Sequence, residues 1–474
     1  MSYDDVAWEK SDDVFDAWKH KLYRNDVLQA IGRFVQKHRG GVAIKLCNPL
    51  RGSFNVCIKV EFLDGGAAMI RIPCPGVVMF PEEKVKREVA TMRHVQENTS
   101  IPVPLILHYG MADECPYNLG PFIIMQYVKH AYDPTELFKE QDSTGDTMAI
   151  DPNITDEKLS CVYEKMADIL LELSKCSFPE IGSLVETQEF EYSVAERAMT
   201  LNTNELVQLG NFPPSQLSSQ TFNSSASYLQ ALSDTHITHL STQHNDAIES
   251  AEDCRRRYIA RHLFCKLATE HRLTSGDDKT FKLFCDDLGP HNVLIDAEFK
   301  VVAVIDWEFA YPAPSKFSQT PPWWLLIQMP ERWSKGLDSW AENYEKRLQL
   351  FLHCLEKREQ VFLEEGKTTK EDCLSHEMRQ NWENGDFWVH YAARKSWAVD
   401  AIYWSKIDER FFGPRDSFEG RLALLDEGDR EGIDAFVQRK IEEQESRILI
   451  DWDADDVGST GNEVTSGKGY ALAD

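Results

Sequence analysis

The chain has 474 residues, 42% hydrophobic and 27% charged, an ordinary globular composition with room for two or three domains and ample core. Asp and Glu number 78 against 51 Lys and Arg, a formal net charge of −27 that excludes non-specific binding to nucleic acid or to an anionic membrane. The 11 cysteines are scattered, with no C-x-x-C pair and no histidine pair that completes a zinc set, so they read as reduced thiols of a cytoplasmic protein. The acidic start "MSYDDVAWEK" has neither the apolar core of a secretory signal nor the Arg-rich bias of a transit peptide, and no apolar run is long enough to span a bilayer.

Residues 1–40 alternate apolar and charged positions at helical spacing and read as a helical extension. "CNPLRGSFNVCIKVEFLDGGAAMIRIP" then reads as strand, glycine-containing turn, strand, tight "DGG" turn and strand. "PEEKVKREVATMRHVQEN" is a helix with Pro81 in its first turn and acids beside it. "IPVPLILHYG" and "PFIIMQYVKH" are two further strands, so residues 41–128 form a mostly antiparallel sheet with one inserted helix. Residues 129–450 are mainly helical, with amphipathic stretches at 337–366, 376–406 and 430–448. Residues 141–154 and 201–250 are rich in Ser, Thr, Asn and Gln and read as loops, the second as a polar insertion. Residues 451–474 read as a disordered tail.

The chemistry concentrates in "FKLFCDDLGPHNVLIDAEFKVVAVIDWEFA". Asp286 and Asp287 precede one apolar run, and Asp306 comes after the next. A carboxylate beside a dry strand is costly unless it is paired or coordinates something. An Asp five residues before an Asn, with a second Asp after the next strand, suits phosphoryl transfer from a triphosphate. Asp287 would orient an attacking hydroxyl and accept its proton, and Asn292 and Asp306 are hard oxygen donors for magnesium. Asp286 and Asp287 as turn caps, with Asp306 as a strand terminator, is the plainer alternative for each acid taken alone.

The blocks "CDDLGPHNVLID", "VIDWEFA", "RGSFN", "MIRIP" and "PPWWLL" resemble the aminoglycoside phosphotransferase-like kinases, most closely their large fungal branch, over roughly residues 40–410. The resemblance implies an α+β, two-lobed protein-kinase-like fold, with a small antiparallel-sheet lobe and a large helical lobe. It also implies ATP, Mg2+ and a small-molecule hydroxyl or amine as acceptor. Members act on antibiotics, choline, homoserine and fructosamine, so the fold does not select the acceptor. Gly52 and Ser53 fall where the phosphate-covering loop lies, and Arg71 takes the place of the phosphate-gripping lysine, with Glu88 as its partner. Lys59, one strand earlier, is the rival cation. The backbone of Gln126 and Val128 would read adenine, with Met125 behind it.

Two departures stand out. Cys285 occupies the position of a histidine that orients the catalytic loop, and Arg71 is bulkier than lysine. Most of the tryptophans read as core. Glu308 and Asp400 are the candidate acceptor-binding acids, and the acidic balance favours an amine or amino-sugar acceptor. A nucleotide-binding pseudokinase acting as an interaction module is the alternative function. A protein kinase is disfavoured, because little chain lies between Asp306 and Pro321 for an activation segment. The expected assembly is a monomer or weak dimer.

Overall fold

The computed structural model describes residues 1–138, 150–151, 153–188, 191–274 and 280–452. Two helices open the chain, α1 (Asp5–Leu22) and α2 (Asn25–Arg39). Asp4 caps α1 by accepting from the Ala7 N–H at 3.0 Å, and Lys19, His20 and Lys21 close its last turn, as the helix dipole favours. Next come β1 (Ala43–Leu46), β2 (Leu50–Arg51), β3 (Asn55–Phe62) and β4 (Ala67–Pro73), then α3 (Pro81–Asn98), β5 (Ile106–Gly110) and β6 (Phe122–Gln126). They form one antiparallel sheet in the order β1-β3-β4-β6-β5, with β2 on β3.

Alternation along β3 gives the sheet its two faces. Val56, Ile58, Val60 and Phe62 point to one side, where Phe15, Leu22, Val27, Ile31 and Val35 of α1 and α2 cover them. At about 1.5–3 kcal/mol per buried side chain, those five helix residues contribute on the order of 10 kcal/mol before chain entropy is subtracted. Cys57, Lys59 and Glu61 point to the opposite side. The register Cys57↔Arg71 and Lys59↔Met69 puts Arg71 and Met69 on that same face.

The remainder is mainly helical: α4 (Asp156–Leu173), β7 (Ser177–Phe178), the hairpin β8 (Ser183–Gln188) and β9 (Glu191–Glu196), α5 (Leu201–Leu209), α6 (Ser225–Thr242) and α7 (Ala251–Thr269). Then come β10 (Phe281–Cys285), β11 (Val293–Ile295), β12 (Val301–Val304) and β13 (Ala310–Ala313), and helices Gly336–Glu364, Leu374–Glu383, Asp386–Arg394 and Glu427–Ser446. The expected α+β fold class is what the chain adopts: an antiparallel sheet first, a helical body after it. One large core runs through that body. Among the described residues no helix is long and apolar enough to cross a membrane.

Two expectations are corrected. Residues 201–250 are not all loop: α5 and α6 take up more than half of the stretch, each turns a buried face inward, and many of their polar residues are internally bonded. The hydroxyls of Thr200 and Ser224 cap the two helices, and those of Thr235, Thr238 and Thr242 bond back to carbonyls one turn earlier. Asn204 bridges to the segment before α3, donating to the Val77 carbonyl at 2.9 Å and accepting from the Met79 N–H at 2.9 Å. The single helix expected at 376–406 is broken at Gly385, which has φ 82°, and again after Arg394. The expected tail lies outside the described residues from 453 onward, as do residues 141–149 and 152 of the expected first polar loop.

Candidate functional site

The turn that carries Asp287 is built between two strand pairs. β10 ends at Cys285, a single tight helical turn covers Pro290–Asn292, and β11 and β12 form the hairpin that leads to Asp306. Asp306 has φ 57°, a left-handed conformation that aspartate tolerates better than most residues; it turns the chain out of the strand at the cleft. Asn292 is 3% exposed, and its Nδ2 donates to the Asp287 carbonyl at 2.8 Å. That bond fixes the amide and leaves its oxygen as the group available to a ligand. The Asp287 carboxylate has His291 Nε2 3.5 Å from its Oδ1.

His291 is a site residue that sequence reasoning did not single out. Burial depresses its pKa, but the hydrogen bond to Asp287 and the charges of Asp287, Asp133 and Asp306 more than reverse that and raise it. A histidine four residues after Asp287 was the available signal.

Behind the turn lies a buried charge network. Arg71 bonds both Glu88 on α3 and Asp306, with Glu308 at 3.7 Å. Lys84, one helical turn before Glu88, bonds Glu308 and donates to Asn55 Oδ1 at 2.8 Å; Glu88 is 3.7 Å away. Asn55 in turn donates to Glu308 at 2.9 Å. The Arg71–Glu88 pair expected from the sequence forms, whereas the rival Lys59 is occupied by Glu61 at 3.1 Å and lies over the Tyr127 ring at 4.2 Å. Lys84 was missed, and Glu308 corrects its assigned role: it is 4% exposed and committed to Lys84 and Asn55, not offered to an acceptor. Burial alone would raise the Glu308 carboxyl; Lys84 and Arg71 outweigh it and hold it below the ordinary range. Asp306 goes the other way: burial pushes it up to about 6, with Glu308, Glu88 and Asp287 adding to the push and Arg71 opposing.

Most of these groups, though not Lys84 or Glu88, line one cavity of about 630 Å³. Gly52, Ser53, Arg71, Asp287, Asn292, Asp306 and Glu308 all line it, so the structure brings most of the expected site together. Gly52 closes its turn by donating to the Asn55 carbonyl at 2.8 Å, and Ser53 has no hydrogen-bond partner among the described residues. Trp323, Ile327, Gln328, Met329 and Arg332 form the opposite wall. Ile327, a β-branched residue, is held at φ 51° there, a costly conformation for it.

Gln126 and Val128 line a separate hollow with Lys59, Glu61 and Tyr127. It shares no lining residue with the cleft, so the structure does not bring Gln126 and Val128 together with the other expected site residues. The Val128 carbonyl already accepts from His130 at 3.0 Å. Met125 is buried against Val85 and Val89 of α3.

Asp400 does not line the cleft. It is buried and held by Arg261 at 2.8 Å and Arg257 at 3.1 Å, which keep its carboxyl far below the ordinary range against the cost of burial. Glu308 and Asp400, the two expected acceptor-binding acids, are thus both committed to internal cations. Asp286 is likewise internal, paired with Arg394. Cys285 donates weakly from Sγ to the Glu308 carbonyl at 3.7 Å, and burial pushes its thiol well above its ordinary pKa.

The donor set suits a hard cation. The network holds Arg71 and Lys84 against Glu88, Glu308 and Asp306, one acid in excess, with Asp287 close by. Added positive charge at Asn292 and Asp306 would relieve that excess, and amide and carboxylate oxygens are what magnesium prefers. Among the described residues no group of three or more His, Cys, Asp and Glu could by itself hold a metal ion, so phosphate oxygens would have to complete the coordination.

No protein-family model matches the sequence, and no curated protein matches it. Among solved structures the chain is similar to an aminoglycoside phosphotransferase in ternary complex with AMP-PNP and hygromycin B, at 13% identity and TM-score 0.42, over 86% of this chain and 98% of that one. A type I macrolide 2'-phosphotransferase matches at 12% and 0.40, over 82% and 96%. A macrolide 2'-phosphotransferase from Brachybacterium faecium matches at 11% and 0.37, over 83% and 100%. Likeness of this size says nothing about substrate or reaction.

Proposed function

We propose that the protein transfers the γ-phosphate of ATP to a hydroxyl of a small molecule. The observation that carries this reading is the convergence on one cleft of Asp287, Asn292 and Asp306 with the Arg71–Glu88 pair. Asp287 orients the acceptor hydroxyl and takes its proton. Arg71, pinned by Glu88, presents a rigid fork to phosphate oxygens, and the N–H and hydroxyl of Ser53 cover them from above. Magnesium, when bound with the nucleotide, would neutralise phosphate charge from Asn292 and Asp306. The resemblance of "CDDLGPHNVLID" and "VIDWEFA" to the aminoglycoside phosphotransferase-like kinases supports the same chemistry.

The chain beyond Asp306 suits a small acceptor. β13 and residues 314–317 are almost wholly buried, so this stretch offers no extended surface for docking a peptide. The acceptor wall is Trp323, Ile327, Gln328, Met329 and Arg332, suited to a hydroxyl compound with an apolar or ring face. The test is an acceptor screen with ATP, read by mass spectrometry for a phosphate gain. Transfer to peptides with no small-molecule product would overturn the proposal.

One observation favours a second reading, a nucleotide-binding module without transfer: Arg71 bonds Asp306 directly, the carboxylate that would have to serve magnesium. Magnesium-dependent turnover separates the two.

A further inference from the structure

Helix α3 is buried on more than one side. Val85 and Val89 pack against Ile123 and Met125 of β6, whereas Ala90, Met92 and Val95 belong to the large core of the helical body. Glu83, Arg87, Ala90, His94 and Glu97, spaced four and three residues apart, make one face of the helix. The β8–β9 hairpin grips that face. Arg87 is buried and donates from Nε and Nη2 to Glu196 at 3.1 and 2.6 Å, with its Nη1 2.7 Å from Glu83. Arg197, next along from the hairpin, donates to Glu83 at 3.2 Å and lies over the Phe80 ring at 4.3 Å. The His94 ring meets Phe178 and Tyr192 at 5.2 and 5.4 Å, and the Tyr192 hydroxyl donates to Glu97 at 3.1 Å. Arg93, beside the same face, bonds Glu186 of β8.

Both ends of α3 are tied to the same body. Asn204 of α5 bonds Val77 and Met79 just before the helix. Just after it, the Ser100 N–H donates to Glu172 of α4 at 2.9 Å, and the Pro102 carbonyl accepts from the Val304 N–H of β12 at 2.8 Å. The helix is therefore held at its start, along its length and at its end by elements that follow it in the chain. Arginine forks set direction as well as attraction, and a buried one such as Arg87 is little screened by salt.

We propose that Glu186 and Glu196 are positioning residues: through them the hairpin clamps α3 into the helical body, and α3 in turn presents Glu88 to Arg71 and Lys84 to Glu308. The buried charge network is then a seam. Arg71 and Asn55 stand on the sheet side of it; Lys84, Glu88, Asp306 and Glu308 stand on the other. Movement between the two parts of the molecule separates the sheet from α3 and leaves α3 with the body.

The test is amide hydrogen exchange in α3, β4 and α7, with the melting temperature as a measure of the whole fold. Glu186→Lys combined with Glu196→Lys sets like charges against Arg93 and Arg87; both carboxylates are partly exposed, so the reversal leaves the core untouched. Exchange in α3 is expected to rise roughly tenfold, while β4 and α7 keep wild-type rates and the melting temperature falls by no more than about 5 °C. Glu186→Arg alone should loosen α3 less, and adding Arg93→Glu, which rebuilds the pair in reverse, should restore its protection. Unchanged α3 exchange in the folded double reversal would overturn the proposal. So would β4 loosening together with α3, or a reversed pair no better protected than Glu186→Arg alone. None of these readouts depends on ATP or on phosphate transfer, so they stand or fall apart from the proposed function.

Discussion

Lys84→Met is the sharpest perturbation of the charge network. Lys84 is 1% exposed, and the substitution removes its bond to Glu308 and its 2.8 Å bond to Asn55. Methionine keeps most of the apolar stem, so the loss is mainly electrostatic. Breaking one side of a buried pair costs about 3–5 kcal/mol. Glu308 retains Asn55 at 2.9 Å and Arg71 at 3.7 Å, which places the cost at the lower end. Protonation supplies an independent bound. A stranded Glu308 escapes by taking a proton, and from an ordinary pKa of 4.5 that costs about 3.4 kcal/mol at pH 7 and about 0.7 kcal/mol at pH 5. The sign is therefore fixed: the folded carboxyl of the variant is raised, so the deficit is small near pH 5 and grows with pH to about 3 kcal/mol at pH 7. Urea midpoints at pH 5, 6 and 7 measure it. Adding Glu308→Gln should recover most of the deficit and flatten its pH dependence. A Lys84→Met protein within about 0.5 kcal/mol of wild type at pH 7, or equally impaired at pH 5, would refute the claim that Glu308 depends on Lys84 in a dry site.

Asp306→Asn should remove the magnesium dependence of ATP binding, measured by calorimetry with and without the ion; unchanged dependence would move the cation elsewhere. Arg71→Lys should keep part of the turnover and Arg71→Ala little, because one ammonium cannot hold Glu88 and Asp306 as a fork does; a fatal Lys59→Ala beside a mild Arg71→Ala would reverse the assignment. Burial lowers His236 to about 3 and His390 to about 4, from 6.5. The unfolded chain therefore takes up protons below pH 6.5 that the folded one refuses. Each histidine should remove about 1.4 kcal/mol of stability per pH unit as pH falls from 6.5 toward 4, read as the difference in slope between wild type and a folded His236→Asn or His390→Asn variant, because Asp306 acts with the opposite sign in the same window; an unchanged slope would contradict their neutral burial.

The turn that carries the proposed site was legible because its logic is local: Asp287, Asn292 and Asp306 lie just beyond strand ends of one short segment, at the spacings the proposed chemistry requires. Arg71 and Glu88 were legible for a related reason, since strand alternation and helix period each fix one side chain's direction. Lys84–Glu308 and Arg394–Asp286 were not, because such pairs are set by packing between remote segments and carry no local pattern. Asp400 was misplaced for the same reason: its partners Arg257 and Arg261 sit on α7, and nothing in the residues around it announces them. The stretch 201–250 was misread because Ser, Thr and Asn were weighed by composition. In α5 and α6 they instead cap, back-bond and bridge, as Thr200, Ser224 and Asn204 do. The break at Gly385 did have a signal, the Asn384-Gly385 dipeptide, a turn mark inside an otherwise helical run.

The central claim is that Asp287 is the base in a phosphate transfer to a small hydroxyl compound. Its most direct test is the yield of phosphorylated acceptor from γ-labelled ATP and magnesium, comparing wild type with Asp287→Ala on the best acceptor from the screen. The expected result is a labelled product whose rate falls roughly 10²–10⁴-fold in the variant while ATP still binds. A folded Asp287→Ala protein that turns over at the wild-type rate, or a wild type that binds ATP and labels no acceptor, would contradict it.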